Sequence, residues 1–141
     1  MLKTGSGLPA GSWSIVGVKL AGAAKFNDAD LERLAGLPEL AILDLAGTAV
    51  TGNGLKSLAK VPGLRQLGLR GTSIGAADLA PIQEIPLSDL DLRDTKIDDQ
   101  SAEALKKLAK TKNLWLRKDQ LIAPTLEQVK SALSGCQIHS N

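Results

Sequence analysis

Four Leu-x-Leu pairs recur along this chain at nearly constant spacing: Leu43 and Leu45, Leu67 and Leu69, Leu90 and Leu92, Leu114 and Leu116, at steps of 24, 23 and 24 residues. Self-similarity at that period restricts the chain to repeat architectures, in which each unit is too small to bury its own apolar face and must lean on the next. A related tail follows each pair. It reads Ala46 Gly47 Thr48 Ala49 Val50, then Arg70 Gly71 Thr72 Ser73 Ile74, then Arg93 Asp94 Thr95 Lys96 Ile97, while the fourth copy keeps an apolar end at Leu121 and replaces Thr with Asp119. Downstream, Leu55, Leu58, Val61 and Leu64 match Leu79, Ile82, Ile85 and Leu87 once a one-residue deletion is allowed, and also Ala102, Leu105, Leu108 and Thr111. An earlier copy starts at Val18 and Leu20, and a truncated sixth strand is expected over 136–138.

Two periods alternate inside each copy. The Leu-x-Leu section has period two, which points its leucines one way and the residues between them the other, as in a short strand buried on one face. The next section spaces apolar residues three apart, as on one side of a short helix. Helix starts are signalled by Asn27 and Asp28, by Thr51 and Asn53, by Asp98 and Asp99, and by Thr125 after Pro124; Pro38 and Pro62 follow helical stretches, where a stop is expected. Each unit therefore reads as strand, turn and helix. Stacked in register, such units place their strands side by side in a parallel sheet.

On these residues the chain resembles a leucine-rich repeat protein, and Leu43 Asp44 Leu45 Ala46 Gly47 Thr48 Ala49 Val50 with Leu55 and Leu58 carries the resemblance. Thr48, Thr72 and Thr95 stand where an Asn usually ends the strand, as in a bacterial subclass with units of the form LxLxxTxVTxxGLxxL. The resemblance implies an α/β fold: a right-handed solenoid, a short curved horseshoe with the parallel sheet on its concave side and helices on its convex side. It covers about residues 15–138. The expected organisation is an N-terminal tail and first-turn cover over 1–14, with Leu8 and Trp13, and a repeat domain over 15–141 closed by a helix carrying Leu126, Val129 and Leu133 and by the last strand. A Thr hydroxyl has fewer hydrogen-bonding sites than an Asn amide, so a thinner ladder is expected beneath the strand ends.

Composition narrows the function classes. Seventeen Lys and Arg against fifteen Asp and Glu leave a formal charge of +2, too small an excess to hold a polyanion, so nucleic acid is not an expected partner. Aromatic side chains are limited to Trp13, Phe26 and Trp115. With one His and one Cys, neither a metal cluster, a cofactor site nor an intrachain disulfide is expected. Glycines and Pro9 break the first twenty residues, so no signal peptide is read there, and no apolar run reaches the roughly 20 residues of a membrane span. The expectation is a soluble monomer without membrane contact, cytoplasmic by default.

Candidate site residues are the strand positions facing away from the leucines, which fall into columns across the sheet. The column after the second leucine reads Ala21, Ala46, Arg70, Arg93, Arg117 and then His139; the column between the leucines reads Lys19, Asp44, Gly68, Asp91, Trp115 and Gln137; the column before them reads Gly17, Ile42, Gln66, Asp89 and Asn113. Three adjacent arginines repel one another unless carboxylates intervene, and Asp89 and Asp91 share a strand face with Arg93. Two readings stay open. In one, Arg70, Arg93, Arg117 and Trp115 with Asp44, Asp89 and Asp91 form a groove for an acidic or mixed-charge protein partner, since Arg and Trp concentrate binding energy. In the other, the charges are a solubilising ladder, Trp115 packs laterally over Gln137 or Arg117, and the chain is a structural or accessory repeat domain with no ligand on the concave face. Lys106, Lys107, Lys110, Lys112, Arg117 and Lys118 read as a solvated helix end, with an anionic partner as the lesser alternative. No catalytic residues are expected: Cys136 and His139 are too few and face opposite ways, and the carboxylates lack an apolar pocket to tune them.

Overall fold

Parallel pairing in strict chain order organises the molecule. A computed structural model describes residues 16–140, and the expected tail over 1–14 with Trp13 lies outside the described residues. Six strands, β1 (Gly17–Lys19), β2 (Ile42–Asp44), β3 (Gln66–Gly68), β4 (Asp89–Asp91), β5 (Asn113–Leu116) and β6 (Gln137–Ser140), form one open parallel sheet in the order 1-2-3-4-5-6. The register aligns Val18, Leu43, Leu67, Leu90, Leu114 and Ile138 across it. Of these, the first five are buried, while the residues flanking them on β1 to β5 are mostly exposed or half-buried. Period-two alternation thus separates a core face from an outer face, as the leucine spacing requires.

Between the strands lie α1 (Asp28–Leu34), α2 (Gly52–Leu58), a 3₁₀ helix (Ala76–Ile82), a 3₁₀ turn (Asp99–Ser101) leading into α3 (Ala102–Leu105), and α4 (Ala123–Ala132). The successive helices contact their neighbours in chain order. Their inward residues, Leu31, Leu55, Leu58, Leu79, Ile82, Leu105 and Val129, join the strand leucines in one buried cluster. No helix among the described residues is long and apolar enough to cross a membrane.

Helix starts follow the expected chemistry. Asn27 Oδ1 accepts from the backbone N–H groups of Ala29 and Asp30, while Asp30 returns a carboxylate to the Asn27 N–H, so three backbone donors are satisfied at this helix start. Thr51 caps α2 by accepting from Asn53 N–H and donates its hydroxyl to Asp28 of the preceding helix. Asp98 caps the 3₁₀ turn through Gln100 N–H. The start of α4 differs from the expectation. Ile122 is its cap and Thr125 lies in its first turn, because Asp99 of the preceding unit accepts the Ile122 N–H at 2.8 Å and anchors the chain there.

The third helical segment also departs from a plain α-helix. Pro81 lies inside Ala76–Ile82 and has no N–H to give, and this unit is the one that is a residue shorter. A 3₁₀ helix rises about 2.0 Å per residue against about 1.5 Å for an α-helix, so it spans a given length with fewer residues. That geometry lets a 23-residue step keep the strands in register.

At the strand ends each threonine turns back within its own unit: Thr48, Thr72 and Thr95 donate to the carbonyls of Leu45, Leu69 and Leu92 at 2.8, 2.6 and 2.6 Å. Neighbouring units are joined there by main chain instead, from Gly22, Gly47 and Gly71 N–H to the carbonyls of Ala46, Arg70 and Arg93. In the fifth unit the interior place goes to Gln120, which is buried, rather than to Asp119. Its amide nitrogen donates to the Leu92 and Ile97 carbonyls and its oxygen accepts the Arg117 N–H, a reach no hydroxyl has.

Because the leucine columns are shared, a cavity in the middle is felt on both sides. Leu90→Ala, at a position with no exposed surface, is expected to cost about 2–5 kcal/mol in urea unfolding. Ile122→Ala, at a side chain 60% exposed, is expected to stay within about 0.5 kcal/mol of the parent. Equal losses at the two positions would contradict a single shared interior.

Candidate outer-face groove

The pairing register assembles the outer face directly. One column runs Lys19, Asp44, Gly68, Asp91, Trp115 and His139, and the column before it runs Gly17, Ile42, Gln66, Asp89, Asn113 and Gln137. The last strand is displaced by two residues from its expected position, so His139, not Gln137, stands opposite Trp115. Cys136 is the cause. Its N–H closes the turn onto the Leu133 carbonyl, pairing begins at Gln137 N–H to Lys112 carbonyl, and Ile138 takes the first leucine position. A shift of two preserves the face of every side chain while changing its column.

Trp115 is held laterally, by different partners from those anticipated. The His139 ring stacks on the indole with centroids 4.0 Å apart and planes 16° from parallel, and the Arg93 guanidinium carbon lies 5.6 Å from the ring centroid. The two partners come from opposite sides, His139 from β6 and Arg93 from the turn after β4, so the indole is braced from both, with stacking and cation–π attraction. His139 Nε2 lies 3.1 Å from Asn113 Oδ1, and Asn113 Nδ2 donates to the Ser88 carbonyl, which ties the brace to the sheet.

Each of the three arginines meets a carboxylate. Arg93 binds Asp91 through two hydrogen bonds, Nε to Oδ1 at 3.0 Å and Nη2 to Oδ2 at 2.7 Å, and this pairing raises the Arg93 pKa further against the opposing effect of burial. Arg70 Nε binds Asp94 Oδ2 at 2.9 Å, and Arg117 Nη1 binds Asp94 Oδ1 at 2.8 Å. Arg117 Nε also binds Asp119. Asp89 does not offset the arginines as anticipated; its carboxylate accepts the Ser88 hydroxyl at 3.0 Å. Asp44 accepts the Ala46 N–H at 3.1 Å.

Asp94 is the residue that sequence reasoning passed over. Gly22, Gly47, Gly71 and Asp94 occupy equivalent turns with φ of 82°, 69°, 70° and 57°, the left-handed region that glycine enters freely and that Asp tolerates better than most side chains. The signal was therefore present: one copy of a glycine column carries a carboxylate, between Arg70 of one unit and Arg117 of another. Hydrogen bonds first from Arg70 and then from Arg117 hold its carboxyl below the ordinary aspartate range. Among the late basic residues, Lys106 pairs with Glu103 and Lys110 with Glu84.

Over β2 to β4 the outer face dips into a groove of about 300 Å³, bounded by Lys19, Asp44, Gly68, Asp89, Arg93 and Trp115 among others. Gly68 lies on its floor and leaves room for the Asp44 carboxylate, whose Oδ1 lies 2.7 Å from where a Gly68 Cβ would stand. Five of the seven anticipated site residues, Asp44, Asp89, Asp91, Arg93 and Trp115, line this groove, whereas Arg70 and Arg117 stand at the adjoining turns around Asp94. Cys136 lies elsewhere, its thiol kept protonated by burial.

A depressed carboxyl pKa supports the folded state above the unfolded value of about 3.9 and withdraws that support as pH falls through the folded value. The Arg70–Asp94–Arg117 bridge is thus expected to be intact at neutral pH and to be lost only below about pH 4. In a carboxyl NMR titration Asp94 is expected to show a midpoint under about 3.9, returning toward it in the Arg70→Ala, Arg117→Ala double variant. A native midpoint at or above that value would contradict the bridge.

No protein-family model matches the chain and no curated protein matches its sequence, so the functional reading rests on the chemistry of this outer face.

Proposed function

We propose that the chain is a leucine-rich repeat domain, a short right-handed solenoid without catalytic function, that binds a protein partner through the sheet face turned away from its core. The 24-residue period, in-register leucine columns and parallel strands in chain order support the family reading, and right-handed crossovers are the rule for parallel strands. One observation carries the binding reading: a braced indole stands at the wall of a groove on a mostly polar strand face. Trp and Arg in pre-positioned geometry are the usual anchors of protein interfaces, because little side-chain freedom is lost on contact.

Internal pairing narrows the proposed contact surface. Arg70 and Arg117 are neutralised by Asp94 and Asp119 at the turns, where a solubilising role suffices for them. The contact surface is therefore the groove itself, Trp115 with Asp44 and Asp89, and the Arg93–Asp91 pair enters it as the brace of the indole at its wall.

A photo-crosslinking residue at Gln66, in the groove, is expected to capture a partner that the same residue at Lys130 on α4 does not. For the captured protein, calorimetric affinity is expected to fall about tenfold or more, roughly 1.4 kcal/mol, on Trp115→Ala or Arg93→Glu at unchanged thermal midpoint. Capture from Lys130 alone, with affinity indifferent to Trp115→Ala, would move the interface to the helical side.

A further inference from the structure

We infer that the groove over Gly68 receives a basic side chain, arginine or lysine, from an extended segment of a protein partner; this rests on the outer-face reading above. Charge balance within the groove chooses the partner's sign. Arg93 and Asp91 consume each other through two hydrogen bonds, which removes one cation and one carboxylate from availability. Asp44 and Asp89 hold only neutral donors, the Ala46 N–H and the Ser88 hydroxyl, and neither makes an ion pair among the described residues. They flank the floor from β2 and β4, while Lys19 stands at the β1 rim. An acidic partner would have to break the Arg93 pair and face both carboxylates; a basic one finds the field already arranged.

Shape agrees with charge. Gly68 is the one position in its column without a side chain, which leaves room for the Asp44 carboxylate to lie over it on the groove floor, and the groove as a whole, about 300 Å³, suits a single long side chain and the backbone beside it. Trp115 supplies an apolar wall for the methylene stem of such a residue, as aromatic surfaces do for Arg and Lys. A side chain grown from Gly68 would collide with the Asp44 carboxylate before it entered the groove.

The test uses the full chain and three capped peptides followed by NMR: acetyl-Ala-Arg-Ala-amide, its neutral isostere with citrulline, and the same peptide with aspartate. The arginine peptide is expected to shift the amides of Asp44, Gly68 and Asp89 and the Trp115 indole N–H in a saturable, millimolar-range titration. The citrulline peptide is expected to bind roughly fivefold more weakly or worse, and the Asp44→Asn, Asp89→Asn double variant to erase that difference. Gly68→Leu, which pushes the Asp44 carboxylate off the groove floor and fills the space beside it, is expected to abolish the shifts. If citrulline or aspartate shifts the same amides as strongly as arginine, the inference is wrong and the outer-face reading stands. Shifts spread equally over Glu103 and Asp119, or no groove shift with any peptide, also overturn it; the Trp115→Ala affinity measurement then decides separately whether the outer face binds at all.

Discussion

Everything in this molecule depends on register between units that have no core of their own. A segment of about two dozen residues contributes a three- or four-residue strand and a helix of a few turns at most, too little apolar area to offset the entropy of ordering it. Aligned with its neighbours, its leucines enter a continuous interior, and Leu43, Leu67, Leu90 and Leu114 each become almost fully buried. The same alignment dictates the outer face. A strand cannot slip by one residue without turning its leucine outward, so the polar columns are as firmly specified as the core.

Register is defended where the repeat is imperfect. The 23-residue unit answers its missing residue with a longer-rise helix around Pro81, and the unit lacking the strand-end Thr recruits the amide of Gln120 to reach the carbonyls of the preceding unit. Asp94 belongs to the same pattern. It enters a left-handed turn that its counterparts fill with glycine, accepts some backbone strain, and gains ionic contacts to arginines on both sides. These are exposed pairs, whose worth lies more in arranging the charges than in stability.

What could be read before any coordinates was whatever depends on period. Strand positions, the leucine columns, the caps at Asn27, Thr51 and Asp98, and the joint facing of Asp44, Asp89, Asp91, Arg93 and Trp115 all follow from counting residues. What escaped depends on reach or on the length of a turn. A period of two marks the face of His139 but not its column, which the turn at Cys136 decides. Likewise, spacing places three arginines in a row without revealing which carboxylate each one reaches; Asp94 lies off the strand and entered no column. Pro81 was visible, yet a helical spacing of three suits a 3₁₀ helix as well as one side of an α-helix.

Gly68 brings the stability and recognition arguments together. Glycine inside a strand sacrifices side-chain packing and loses more conformational freedom on folding than any other residue, and no left-handed turn requires it there, since the positive-φ glycines are Gly22, Gly47 and Gly71. Its counterparts in the column, Lys19, Asp44, Asp91, Trp115 and His139, all carry long or polar side chains that cover the sheet. None of them fits in its place without displacing Asp44, whose Oδ1 lies 2.7 Å from where a Gly68 Cβ would stand, so the glycine lets that carboxylate lie on the floor of the groove that Asp89 and the braced indole also line. The core gains nothing from this, because Gly68 faces away from it; what the glycine permits is the placement of the Asp44 carboxylate. A strand glycine of this kind marks a close approach, and here the approaching group is a side chain of the neighbouring strand: one missing Cβ on β3 fixes where β2 holds its negative charge.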